Sequence, residues 1–201
     1  MKLYSRESSG NSYKARLLLS FLGLPYEKIE IERGGDGRNA LPADYLTLNP
    51  RGQIPTLVDG EVVLWGSTAI LYYLALTHDG QRRWMPAQAR AGAEVLQWME
   101  LAQNEILSGL AIARGIIRWG FKEDLAACQA KGIKALTVME RRLANHQWLA
   151  GEEPTIAECA CFPYTALCPE GQIDLGPYPG VRGWLARVKR LPGFVAMPGV
   201  E

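Results

Sequence analysis

The hydrophobic pattern of this chain changes character once. Up to residue 78, short runs of strand formers alternate with helix-spaced stretches; from residue 87 onward only helical spacing remains. Lys2 to Ser5 reads as a short strand, followed by the polar loop Arg6 to Ser12. Apolar residues at 13, 17, 18, 21 and 22 predict a helix, which Gly23-Leu24-Pro25 stops. Tyr26 to Ile31 reads as a second strand, with Ile29 and Ile31 on one face. A polar loop over Arg33 to Asn39 and a short helix or turn within Leu41 to Leu48 come next.

Asn49 to Ile70 is the most informative stretch. Thr56 to Val58 and Glu61 to Leu64 are strand-forming runs, and Asp59-Gly60 between them suits a tight hairpin turn. Pro55 cannot donate to a sheet ladder, so it belongs at a strand start, an edge or a bulge. A cis Ile54-Pro55 bond would make a sharp corner there and leave the backbone of Ile54 free to pair with an extended peptide. Ser67 is expected to cap a helix from Thr68 to Leu76, whose exposed amides would suit a carboxylate. An edge for a peptide backbone beside a carboxylate pocket describes a site for a small acidic peptide.

Beyond Asp79 to Pro86, read as a linker, apolar positions from 95 to 117 predict one long amphipathic helix within Ala87 to Trp119. Lys122 to Leu143 predicts another. Thr155-Ile156-Ala157-Glu158 has the capping-box form and places a helix start at Ile156. Pro163 inside that helix is expected to kink it or remove one bond. Tyr178 to Leu191 predicts the last helix, with Trp184, Leu185 and Val188 inward. The expected architecture is α+β in two domains: residues 1–78 a mixed sheet with helices, 79–86 a linker, and 87–201 all-helical.

Composition narrows the function. The 201 residues are 48% hydrophobic, enough for a core, and the net charge of +1 gives no argument for nucleic acid or membrane binding. The start resembles no secretory signal, and no apolar run is long enough to cross a bilayer. Four cysteines, at 128, 159, 161 and 168, lack a CxxC pair and read as reduced, mostly buried thiols, so a cytoplasmic setting is expected. His78 and His146 stand at separate helix ends, which argues against a metal site or a His-based triad.

The ordered run from Asn49 to Ile70 resembles the glutathione-binding half of the glutathione S-transferase family, roughly NPxGxIPxLxDGxxxLxESxAI. The match covers Asn49, Pro50, Gly52, Ile54, Pro55, Leu57, Asp59, Gly60, Leu64, Ser67, Ala69 and Ile70; Gly66 stands where the family usually has Glu. The resemblance implies a thioredoxin-like N-terminal domain, an all-α C-terminal domain, a homodimer, and glutathione as co-substrate.

It also implies a hydroxyl or amide donor after the first strand to hold the glutathione thiolate, because a free thiol is mostly protonated at neutral pH. Counting back seven residues from Arg16, as in serine-type classes, gives Ser9. Asn11 is the alternative, since Ser9-Gly10-Asn11 is similar to the arrangement of nu-like members. Tyr4 lies too far back, and no cysteine occupies the loop, unlike the beta and omega classes. By the same resemblance Ile54, with Gln53 and Pro55 beside it, pairs with the cysteinyl unit. Ser67, with Gly66, takes the γ-glutamyl carboxylate, and Arg38 is a candidate for the glycyl carboxylate. Arg114, Arg118, Trp119 and Tyr164 are candidates for a second-substrate pocket by position. The function implied is attack of the activated thiol on a small hydrophobic electrophile. A glutathione-dependent disulfide reductase or peroxidase, and a non-catalytic binding protein, are the alternatives. Gly66 is expected to weaken glutathione binding.

Overall fold

A computed structural model describes residues 1–32, 34 and 39–200. Four strands, β1 (Lys2–Ser5), β2 (Glu27–Glu30), β3 (Thr56–Asp59) and β4 (Val62–Trp65), form one mixed sheet in the order β2-β1-β3-β4. β1 and β2 are parallel, with Lys2 opposite Glu27; β3 runs antiparallel to both β1 and β4. In the hairpin Asp59 pairs with Val62, so the turn is Gly60-Glu61 rather than Asp59-Gly60. Gly60 has φ 59°, and a turn with glycine as its first central residue puts the positive φ where it costs least. The Ile54-Pro55 bond is cis.

The helices of this half are α1 (Gly10–Phe21), the single turn α2 (Tyr45–Leu48) and α3 (Ser67–His78). The Asp59 carboxylate ties the hairpin to α3, accepting from the Tyr73 hydroxyl at 3.0 Å and meeting His78 Nε2 at 3.3 Å. The remaining chain is helical: α4 (Ala89–Leu101), a π-helical segment (Ala102–Ala111), α5 (Ile112–Trp119), α6 (Leu125–Leu143), α7 (Ile156–Ala166) and α8 (Pro179–Lys189). This is the expected α+β arrangement of a thioredoxin-like sheet domain followed by a helical one.

Two expectations need correction. Ser67 does not cap α3: Gly66, at φ 87°, is the N-cap residue, no side chain caps the helix, and Ser67 is its first residue. The long helix is not uniform either. Its π-helical middle changes the phase of the apolar stripe beyond it, where Ile117, read as part of that stripe, is exposed; Leu96, in α4 ahead of that segment, is exposed as well. The π segment crosses α6 where Gly109 meets Gly132. A Cβ on Gly109 would lie 2.4 Å from the backbone nitrogen of Gly132, so only glycine permits this approach.

Helix α1 is the centre of the molecule. It packs against α3 on one side and α7 on the other, and is buried from Ser12 to Leu19. Leu17, Leu18 and Leu19 are fully enclosed, and Tyr13 stands 6.4 Å from Phe162 of α7, which also meets Trp184 and Phe194. Lys14 faces Tyr164 of α7 and Arg16 faces the end of β1 and the loop after it, and both are buried. Arg16 is satisfied: its guanidinium donates to Ser5 Oγ and to the carbonyls of Arg6 and Glu7. Among the described residues Lys14 has no hydrogen-bond partner; its ammonium lies 5.4 Å from the centre of the Tyr164 ring.

Helix α7 starts at the expected Ile156, and the capping box closes both ways. The Thr155 hydroxyl accepts from the Ala157 amide, while the buried Glu158 carboxylate accepts from the amides of Thr155 and Leu149 at 2.7 and 2.8 Å. Burial pushes Glu158 up to about 7, against the opposing pull of these amides. Pro163 sits within α7, which continues to Ala166. The four cysteines are free and buried, and burial pushes each thiol up. Among the described residues no helix is long and apolar enough to cross a membrane, and no group of metal-ligating side chains is present.

Two measurements check this packing. Glu158→Ala removes the acceptor of two buried amides and should cost about 2–4 kcal/mol of unfolding free energy in urea titrations, with a change below about 0.5 kcal/mol counting against it. Lys14 is pulled down to about 8 by burial, from the usual 10.5. The unfolded chain therefore binds more protons between those values, and the lysine makes stability rise as pH increases from 8 to 10.5. Lys14→Met should stabilise the protein at pH 7 and flatten that rise; an unchanged slope would contradict the burial of a charged ammonium.

Candidate functional site

Two connected hollows lie where the sheet domain faces the helical domain. The larger, about 380 Å³, is lined by Ser8 to Asn11 at the start of α1, by Gln53 and Ile54, and by Leu107, Ala111, Ile112, Arg114, Trp119, Phe121 and Tyr164. The smaller, about 70 Å³, is lined by Gln53, Ile54, Pro55, Gly66, Ser67 and Gln103. Asn11, Arg51, Gln53, Ile54 and Leu107 border both, so the two form one cleft. A wider groove of about 630 Å³ opens elsewhere, beside the end of α1; among the described residues none of the expected site residues lines it.

The start of α1 is built by its own side chains. Ser9 is the N-cap residue, and its Oγ accepts from the Ser12 amide at 3.2 Å. That bond uses a lone pair and leaves the hydroxyl proton for an acceptor in the cleft. The positive end of the helix dipole points the same way. Behind it, Arg16 holds the carbonyls of Arg6 and Glu7, which fixes the loop between β1 and α1. Asn11 borders both hollows, and its side-chain oxygen is buried without a hydrogen-bond partner.

The opposite wall is the loop before β3. Tyr45 and Asn49, both buried, hold it from beneath: the Tyr45 hydroxyl lies 2.6 Å from the Gln53 carbonyl and 2.7 Å from Thr56 Oγ1, and the Asn49 amide donates to the same two oxygens. Ile54 is thereby presented at the cleft, and among the described residues its own N–H and C=O take no hydrogen bond. Ser67 opens α3, and the uncapped amides of that first turn have no side-chain acceptor. Gln103 of the π segment reaches across to it, its amide 3.4 Å from Ser67 Oγ.

The helical domain also grips the other end of the cleft. Arg114 is buried; it donates to Glu170 at 2.7 Å and to the Ser8 carbonyl at 3.2 Å, and its guanidinium lies 4.7 Å from the Trp119 ring centre. The Tyr164 hydroxyl accepts from the Asn11 amide at 3.2 Å.

The structure thus brings Ser9, Asn11, Gln53, Ile54, Pro55, Gly66, Ser67, Arg114, Trp119 and Tyr164 to one cleft. Arg118 is not among its lining residues; half-exposed, it pairs with Glu170 from outside at 3.2 Å. Arg38 lies outside the described residues. Sequence reasoning missed Arg51 and Gln103. Arg51 borders both hollows and lies 5.6 Å from the Trp65 ring centre, a cation within the motif run that the pattern itself leaves variable. Gln103 carries no local signal, because only the tertiary fold brings it to α3.

With the geometry in view, the comparisons are direct. Residues 1–76 match the glutathione S-transferase N-terminal domain and residues 108–192 the C-terminal domain of the same family. The chain belongs to the glutathione S-transferase family. It is 34% identical over 198 residues to the glutathione S-transferase GstB of Escherichia coli, covering 94% of this chain and 93% of that one. It is 30% identical over 201 residues to the disulfide-bond oxidoreductase YfcG of the same organism, covering 90% and 87%. A glutathione S-transferase structure from Pseudomonas fluorescens superposes with a TM-score of 0.88 at 36% identity, covering 98% of each chain.

Arg114 offers a check on the cleft's construction. Arg114→Met keeps the length and apolar contact of the side chain but releases Ser8 and leaves Glu170 partly buried. It should destabilise the protein by about 1–3 kcal/mol in thermal or urea unfolding; an unchanged midpoint would show that the clamp on Ser8 contributes nothing.

Proposed function

We propose that this protein is a glutathione transferase that binds glutathione along the sheet side of the cleft and activates its thiol at Ser9. Residues 1–78 form the glutathione-binding unit, 79–86 the linker and 87–201 the helical unit that completes the cleft. Glutathione is the co-substrate that family membership supports. The observation that carries the reading is the arrangement of three features along one cleft. An uncapped helix start stands at Ser67, an unpaired backbone edge at Ile54, and a helix-capping hydroxyl at Ser9 with its proton free. They match the γ-glutamyl carboxylate, the cysteinyl backbone and the sulfur of one tripeptide.

In this reading Ser67 and the first turn of α3 hold the γ-glutamyl carboxylate, with Gln103 completing the pocket. Arg51 is the cation for the glycyl end. Ser9 donates to the sulfur, and the α1 dipole favours the thiolate, which is the nucleophile. The electrophile enters over Leu107, Ala111, Ile112, Trp119 and Phe121, an apolar wall that suits a small hydrophobic molecule. Family membership also supports a homodimer, for which Trp65 and Tyr72 supply exposed apolar surface on β4 and α3. A cytoplasmic setting fits the reduced thiols.

A second reading, a glutathione-dependent disulfide reductase or peroxidase, is favoured by one feature. Asn11 borders both hollows with an unpartnered side-chain oxygen, and the relative YfcG is named an oxidoreductase. Single replacements separate the two. Loss of activity with an electrophile in Ser9→Ala, by roughly tenfold to a hundredfold in kcat/KM, supports the transferase. Loss of disulfide reduction in Asn11→Ala alone supports the reductase.

Gly66 has a physical consequence of its own. Its φ of 87° strains any residue with a Cβ, while the space around a Cβ there is open. Gly66→Glu should therefore lower stability by about 1 kcal/mol and strengthen glutathione binding in calorimetry. Unchanged affinity would mean that the missing carboxylate does not weaken the site. No binding of glutathione to the unmodified protein would overturn the whole reading.

A further inference from the structure

The phenol of Tyr164 repeats, from the helical domain, what the hydroxyl of Ser9 does from the sheet domain. The two oxygens accept from adjacent amides of the same helix turn: Ser9 Oγ from the Ser12 N–H and Tyr164 Oη from the Asn11 N–H, each at 3.2 Å. Both residues line the larger hollow, and Tyr164 is only 8% exposed. A hydroxyl locked as acceptor by a helix amide still has its proton to give, and among the described residues the Tyr164 hydroxyl has no acceptor. Both protons are available to the same cleft, at the positive end of the same helix.

Gly10 makes this possible. The Tyr164 ring covers it so closely that a Cβ would lie 2.6 Å from Cε1 and 2.7 Å from Cζ. Any other residue at position 10 would push the phenol off the first turn of α1. Beneath the ring lies the Lys14 ammonium, buried and without a hydrogen-bond partner. Burial pushes the Tyr164 phenol up, and the Arg114 guanidinium is the first of the groups that oppose this by favouring negative charge on its oxygen.

We infer that Tyr164 is a second hydrogen-bond donor to the sulfur of bound glutathione, acting with Ser9 across the boundary between the two domains. The inference rests on the glutathione reading above and adds a group to it. No proton leaves the phenol: the hydrogen bond favours the thiolate over the thiol, and the thiol proton goes to solvent.

Tyr164→Phe tests this, because it keeps the ring over Gly10 and Lys14 and removes only the hydroxyl. The ultraviolet absorbance of bound glutathione thiolate, followed against pH, should show the thiol pKa raised by about one unit, which is a tenfold shift in the ionisation constant. Calorimetry supplies the readout that a merely structural role would not give. Glutathione should lose affinity in Tyr164→Phe, while S-methylglutathione, which has no thiolate, should bind both proteins alike. An unshifted thiol pKa with normal glutathione binding overturns the Tyr164 inference and leaves the glutathione reading intact. Equal weakening for both ligands also overturns it, since that outcome marks a loop displaced with Asn11. Absence of glutathione binding to the unmodified protein overturns both.

Discussion

The burial of α1 between two domains is the constraint on which the rest of the structure depends. An amphipathic helix with one face on a sheet would leave Lys14 and Arg16 in water. Here α7 covers Lys14 and the loop after β1 covers Arg16, and both become buried. Arg16 is then enlisted to hold the loop after β1, and Lys14 is left against an aromatic face. The same packing brings Tyr164 onto Gly10 and Arg114 onto Ser8, so the start of α1 is positioned from both domains at once.

The cleft is a consequence of that union. Its sheet side is a loop braced from below by Tyr45 and Asn49, its floor the helix starts at Ser9 and Ser67, and its far wall the π-helical segment with α5. The π segment, which carries Gln103, Leu107 and Ala111 to the cleft, crosses α6 backbone to backbone at Gly109 and Gly132. The helical side contributes an apolar wall of Leu107, Ala111, Ile112 and Phe121 alongside the polar Gln103, Arg114 and Tyr164, which fits an anionic peptide lying beside a hydrophobic partner.

Much of the fold was legible in the sequence because local signals agreed with the tertiary result. The strand Lys2–Ser5 and the helix start at Ile156 follow from period and the capping box. The failures are physical. Ser67 looked like a cap because serine commonly caps, but the backbone at Gly66 already occupies the cap position with a positive φ. A helical period cannot reveal a π-helical segment, so Ile117, beyond it, is exposed where the period places it inward. For the site, the motif run from Asn49 onward located Ile54, Pro55 and Ser67. Gln103 and the true settings of Arg114 and Tyr164 depend on contacts across more than a hundred residues or between domains, and no local pattern encodes them.

The central claim is that one tripeptide spans the cleft from α3 to α1. A crystal structure of the protein grown with glutathione tests it most directly. The account predicts the γ-glutamyl carboxylate over the first turn of α3 at Ser67, the cysteinyl backbone paired with Ile54, and the sulfur facing Ser9. Glutathione ordered elsewhere, or a cleft without it at saturating concentration, would contradict the account.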